Sequence, residues 1–353
     1  MNIYDVAKLS GVSPSTVSRV LNGTAKVSEP TRKKVEEAVE KLDYIPNQAA
    51  RNLSTGENKN IAFIIPDIEN PFFSKVLHGI SSAAMAADYN VYMVGTDENS
   101  EVEHEKLRSL HRGMVCGVII APVSKNDQET ADLLSLLIQE GIAVTLVDRD
   151  INTGRFDGVF SDDDSGAFQA VDLLIRSGHR KIGMITGPDT SKPGYERRKG
   201  YERALDYSHI PFRKEYLQSG SFRIEESFQA MKRLMEVSDP PTAVFTSNNH
   251  TTLGCLKYMK ENHLTIGEDL SIVAFDDIPE LSYTSVDLTV VDRSFFGMGS
   301  EAMSILMRRI KEMRDGTYND SVLLRSIVKT QLIVRGSEKL RRFEEQNSKK
   351  DLT

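Results

Sequence analysis

From Lys59 onward the chain alternates short, almost uniformly apolar runs with longer amphipathic stretches, and this pattern constrains its fold more than any other feature. "NIAFIIP" is followed by the helical "PFFSKVLHGISSAAMAA", then by "NVYMVGT", "CGVIIAP" and "IAVTLVD" with helical stretches between them. A second series begins near Phe160 and contains "RKIGMITG", "PTAVFTSN" and "LSIVAFDD". Strands that are apolar on both faces and separated by helices belong to parallel sheets covered by helices. Two such series predict two similar lobes. Ligands of these sheets bind beyond the carboxyl ends of the strands, so the informative residues are those just after each apolar run.

Bulk properties narrow the rest. A chain of 353 residues implies more than one domain, and 39% hydrophobic with 27% charged residues fits a globular protein. No run of about 18 apolar residues is present, and "MNIYDVAKLSG" lacks the basic and apolar segments of a signal peptide. A cytoplasmic location is expected. Cys116 and Cys255 each sit in an apolar run, which predicts buried free thiols. The histidines are scattered without metal-ligand spacing, so neither a metal site nor a cofactor is expected.

The net charge of −7 is unevenly distributed. Residues 1–34 hold six Lys/Arg against two acids, a surplus of four, so the remainder carries −11. A basic head on an acidic body points to a polyanion met by the head alone. In that head, "IYDVAKLSG" predicts a short helix with Val6 and Ala7 inward, ended by Gly11. Ser13 and Pro14 open a second helix, in which Val17, Val20 and Leu21 share the inner face. Ser28 is the expected cap of a third, with Val35, Ala38, Val39 and Leu42 inward. The three form a helix-turn-helix unit. Its second helix turns small hydroxyls and Arg19 outward, suited to a major groove, where a bidentate arginine reads guanine.

"IYDVAKLSGVSPSTVSRVLNG" followed by "VSEPTRKKVEEAVEKLDYIPNQAARNL" closely resembles the N-terminal region of the lactose-repressor family of bacterial transcription regulators. The resemblance implies base-reading positions at Pro14, Ser15 and Arg19, with recognition leaning on the latter two because proline has no polar side chain. It implies phosphate contacts from Tyr4, Thr16, Ser18, Asn22 and Thr31. It also implies a hinge segment at 47–58, with Asn47, Ala50 and Leu53 among the DNA-contacting residues and Leu53 as the wedge between base pairs. A helix that short needs DNA and a partner subunit to form.

The strand ends of the body carry Asn70-Pro71-Phe72-Phe73, Asp148-Arg149, Asn248-Asn249 and Asp276-Asp277. Such residues suit a sugar, whose neighbouring hydroxyls need paired donors and acceptors and whose C–H face needs an aromatic ring. "LIRSGHRKIGMITGP", "RRKGYERAL", "PTAVF" and "AFDD" resemble the effector-binding core of the same family, which is similar to periplasmic sugar-binding proteins. The resemblance implies effector contacts at Arg197, Asn248 and Asp276, a stacking Phe222, and pocket-lining Phe72, Phe73 and Asp148. Asn249 and Arg293 depart from it, standing where aspartate and glutamine are common. Arg149, Arg197 and Arg293 facing one cleft would suit an anionic sugar derivative.

"GMGSEA" (297–302) matches a dinucleotide-binding fingerprint, but four residues separate it from the preceding strand and too little chain follows. Its glycines are read as easing helix packing. The expected architecture is therefore a helix-turn-helix head (1–46), the hinge and linker (47–58), a core (59–338) and a polar tail (339–353). Within the core, the first lobe spans about 59–160 plus 292–319 and the second about 161–291 plus 320–338. The expected function is an effector-controlled repressor that is not an enzyme. It acts as a homodimer on a palindromic operator, with a protein coregulator also open. The tail has no leucine heptads to support a tetramer. A solute-binding protein for sugar transport is the main alternative, and an NAD-dependent oxidoreductase the remote one. An export signal would favour the first; a glycine loop directly after a strand would favour the second.

Overall fold

A computed structural model describes residues 1–22, 27–44, 58–111 and 113–340. The chain divides into two compact units, Met1–Lys59 and Asn60–Thr353. The first is built from α1 (Ile3–Ser10), α2 (Pro14–Asn22) and α3 (Glu29–Lys41). Asn2 starts α1 through a reciprocal cap. Its side chain accepts the Tyr4 N–H at 2.9 Å while the Asp5 carboxylate accepts the Asn2 N–H at 2.8 Å. Gly11, at φ 69°, ends that helix in the left-handed conformation. Ser13 caps α2, accepting the Thr16 N–H at 3.2 Å. Ser28 precedes α3 but does not bond a helix N–H as expected, because its hydroxyl is taken up by that of Thr31 at 2.8 Å.

Val6, Ala7, Val17, Val35 and Ala38 fill the centre of this unit, with Val20, Leu21, Val39 and Leu42 packed around them. These are the residues that helical spacing turns inward. Asn2→Ala should cost the head about 1 kcal/mol, the usual worth of an N-cap. A thermal melt would show this as an earlier head transition with the core transition unmoved.

The second unit holds two six-stranded sheets. The first contains β1 (Asn60–Ile65), β2 (Asn90–Gly95), β3 (Gly117–Ile120), β4 (Ala143–Val147), β5 (Gly158–Ser161) and β11 (Arg325–Val328), in the order β11-β5-β4-β3-β1-β2. The second contains β6 (Ile182–Thr186), β7 (Leu217–Ser219), β8 (Ala243–Thr246), β9 (Ser271–Phe275), β10 (Thr289–Asp292) and β12 (Gln331–Ile333), in the order β12-β10-β9-β8-β6-β7. All pairings are parallel except β10 with β12. The two orders match strand for strand. Each sheet reverses direction of growth beside its first strand, at β1/β3 and β6/β8, and in sheets of this kind the ligand crevice lies beyond those strand ends.

Helices α4 (Pro71–Ala86), α5 (Ser100–Ser109), α6 (Gln128–Gln139) and α11 (Phe295–Arg314) cover the first sheet, and α7 (Asp163–Arg176), α8 (Lys192–Tyr207), α9 (Ile224–Met235) and α10 (Asn249–Glu261) the second. The glycine motif lies inside α11, where it serves packing: a Cβ on Gly299 would sit 2.0 Å from the Val76 carbonyl oxygen of α4. Two boundaries differ from expectation. The return to the second lobe comes after residue 328 rather than at 320, because β11 pairs with β5 and its Val328 packs on the first lobe's core. The polar tail begins later than 339, since Leu340 is fully buried. Residues 341–353 lie outside the described residues.

Both cysteines are free thiols. Burial pushes the Cys255 thiol well up and that of Cys116 to about 11, so neither is a thiolate at neutral pH. No helix among the described residues is long and apolar enough to cross a membrane.

Candidate functional site

In the head, Ser15 and Arg19 are exposed on the side of α2 opposite the buried Val17, and Tyr4 is 69% exposed on α1. Pro14, Thr16, Ser18 and Thr31 are half-buried. The Ser13 hydroxyl lies 2.8 Å from that of Ser15 and 2.9 Å from that of Thr16, a row of hydroxyls at the helix start that can donate to an oxyanion. Asn22 closes α2. Asn47, Ala50 and Leu53 lie outside the described residues.

In the core, the strand ends of the two lobes face each other. Asp97–Glu98 follow β2 and Ser221–Phe222 follow β7, the matching strand; all four have positive φ. Asp148 after β4 and Asp276 after β9 form a second matched pair, at φ 63° and 70°. Left-handed backbone at non-glycine residues costs free energy and concentrates where side chains must be aimed. Direct bonds cross the crevice. Asn249 donates to Asn70 at 2.9 Å, Arg223 pairs with Asp97 at 2.6 Å, the Lys125 N–H donates to the Thr190 carbonyl at 2.7 Å, and His250 stands 3.6 Å from Asp67.

The three arginines of interest all reach this crevice, and each is already paired with at least one carboxylate. Arg149 forms a fork with Glu98 at 2.8 and 2.6 Å. Arg197 bonds Asp163 at 2.8 Å and the Ser247 carbonyl at 2.6 Å, beneath the Phe275 ring. Arg293 bonds Asp276 at 2.9 Å, Asp148 at 2.7 Å and the Ser161 hydroxyl, over the face of Phe72. Burial works against the Arg293 charge, yet Asp276, Asp148 and Asp163 outweigh it and hold the guanidinium above its ordinary pKa. For Asp163 burial dominates and raises its carboxyl, with Arg197 and Arg293 opposing. Three carboxylates thus face two guanidiniums at the centre.

Two other expected contacts also have protein partners of their own. Phe73 is packed within the first lobe's core, edge-on to Phe72 at 4.8 Å. Asn248 caps α10, accepting the Thr251 N–H at 2.8 Å. Phe222 stays in the crevice, 5.8 Å from the Arg149 guanidinium. Among the described residues, three buried donors here lack a hydrogen-bond partner: Arg149 Nε, Ser247 Oγ and Arg197 Nη2, the last lying 2.7 Å from the Asp163 carboxylate in ion-pair contact. Sequence reasoning missed Glu98, Asp163, Ser161 and Ser247. Asp163 and Ser161 follow from the strand-end rule once Gly158–Ser161 is read as a strand, and Glu98 stands two residues after the apolar run "NVYMVGT", where the same rule points.

Behind Arg149, the buried Glu103 accepts the Val123 N–H at 2.9 Å and the Thr130 hydroxyl at 2.8 Å. Burial pushes its carboxyl from the ordinary 4.5 up to about 7, with those two bonds opposing. Between these values the folded chain keeps a proton that the unfolded chain has released, so stability falls as pH rises through that window. Glu103→Gln should flatten that slope in denaturant titrations across the window; an unchanged slope would contradict a protonated Glu103.

Residues 2–47 match the model for bacterial regulatory proteins of the lacI family, and 171–337 that for a periplasmic binding protein-like domain. The chain is 32% identical over 324 residues to catabolite control protein A of Priestia megaterium, covering 92% of this chain and 96% of that one. It resembles the lac repressor dimer bound to operator and the anti-inducer ONPF, at 25% identity and a TM-score of 0.80, covering 96% of this chain and 99% of that one. It also resembles the transcriptional regulator CelR in complex with cellobiose, at 25% identity and a TM-score of 0.69, with the same coverage.

Proposed function

This chain belongs to the lacI family of bacterial regulatory proteins, and from that premise we propose how its two units divide the work of a DNA-binding repressor. It is a transcriptional regulator rather than an enzyme. The head takes operator DNA, and the core takes a small sugar-like effector between its lobes. The chain acts as a homodimer in the cytoplasm, each head on one half of a palindrome. The lac repressor dimer on its operator and the regulator holding cellobiose support both halves of this reading. In the head, the carrying observation is the exposed pair Ser15 and Arg19 on a helix whose opposite face is buried. Ser15 and Arg19 read bases; Tyr4, Thr16, Ser18, Asn22 and Thr31 hold phosphates. Selection from random duplexes should return a palindrome with half-sites on one face of the helix. Enrichment without palindromy would contradict a dimeric reader.

The effector is a neutral polyhydroxyl compound. An anion would have to displace Glu98, Asp163 or Asp276 from its arginine, or join a centre in which carboxylates already outnumber guanidiniums. Arg149 Nε and Ser247 Oγ instead offer two buried donors to hydroxyl oxygens, and Phe222 offers a ring to the sugar's C–H face. Ser247→Ala should weaken effector binding by about 0.5–1.5 kcal/mol, one hydrogen bond's net worth. The unliganded stability should hold or rise, because an unpaired buried hydroxyl is removed. Titration calorimetry with denaturant unfolding checks both.

A further inference from the structure

Arg293 is the only one of the three arginines whose side chain bonds carboxylates of both lobes. It leaves the second sheet at the end of β10 and enters the first lobe at α11. From that crossing its Nε reaches Asp276 of the second lobe at 2.9 Å, and one terminal nitrogen reaches Asp148 of the first at 2.7 Å and the Ser161 hydroxyl at the end of β5. Asp163 lies 3.9 Å away, and the guanidinium rests 4.6 Å over Phe72 of the first lobe and 5.6 Å from Phe275 of the second. The residue is 5% exposed.

We propose that Arg293 is a resident latch of the crevice: beside the peripheral bonds of Asn249, Arg223 and Lys125, its guanidinium makes the central polar cross-links between lobes that a bound ligand would otherwise supply, so the chain closes without one. Only a planar fork suits the place. A point charge reaches one carboxylate well, whereas the guanidinium directs separate donors to each. Without it, closing the lobes brings Asp148, Asp163 and Asp276 together with only Arg197, and Arg149 on the Asp148 side, to offset them, and in a low-dielectric site that repulsion opposes closure. An effector entering here meets lobes that Arg293 already bridges rather than two lobes that stand apart. The regulatory consequence rests on the crevice being the effector site; the closure itself does not.

The test therefore uses no ligand and no DNA. Spin labels at Glu105→Cys and Glu226→Cys, both exposed, report the distance between lobes in the full chain carrying Cys116→Ser and Cys255→Ala. Excess unlabelled chain restricts the signal to one protomer. The unsubstituted Arg293 should give one narrow, short distance, and Arg293→Gln a shift to longer, broader distances. Circular dichroism confirms that each variant is folded. If Arg293→Gln does not fold, Arg293→Lys serves, since it keeps the charge and loses the fork; it too should lengthen the distance. A short distance retained in either folded variant overturns the latch, as does a long or broad distance with Arg293 in place.

Discussion

Arg293→Met is expected to destabilise the core by about 3–5 kcal/mol, the usual result of removing one member of a buried ion network. Methionine fills much of the volume, so the loss comes from leaving Asp148 and Asp276 buried without their cation; their side chains are 6% and 3% exposed. Urea unfolding at neutral pH measures it directly. Adding Asp148→Asn and Asp276→Asn should recover most of the loss, because uncharged amides remove the repulsion. Those three substitutions share one network and must not add. A loss below about 1 kcal/mol for Arg293→Met would mean that the network is too well solvated to carry this weight.

Arg19→Ala is expected to cost about 1–3 kcal/mol at the base pair it reads, roughly five- to 150-fold in affinity for the selected operator, and to relax discrimination there. Arg19 is exposed, so the melting temperature should not move. The diagnostic is the pattern across operator variants. Uniform weakening with discrimination intact would make Arg19 a phosphate contact and shift base reading to Ser15.

Periodicity was a good guide wherever a fold depends on local pattern. The inward faces of the three head helices followed from apolar spacing, and the long strands from continuous apolar runs such as "NIAFII", buried from Ile61 to Ile65. Short edge strands were less legible. Arg325–Val328 alternates exposed and half-buried residues and carries little apolar signal, so the chain's last crossing between lobes was placed too early. The electrostatics of the crevice were the least legible. Arg293 and Asp148 are 145 residues apart in sequence, and Arg149 and Glu98 are 51 apart. Counting arginines at strand ends suggested a site for anions. Pairing them, which only the folded chain does, favours the neutral effector proposed above.

The central claim is that this crevice takes a neutral polyhydroxyl effector, and thermal stability against a matched panel of neutral sugars, sugar phosphates and sugar acids tests it most directly. A ligand at 100 times its Kd adds about 2.7 kcal/mol, enough to raise the core's melting by several degrees. The account predicts a rise with a neutral sugar that shrinks in Ser247→Ala. A rise confined to sugar phosphates or acids would contradict it, and would mean that an anion can take an arginine from its carboxylate.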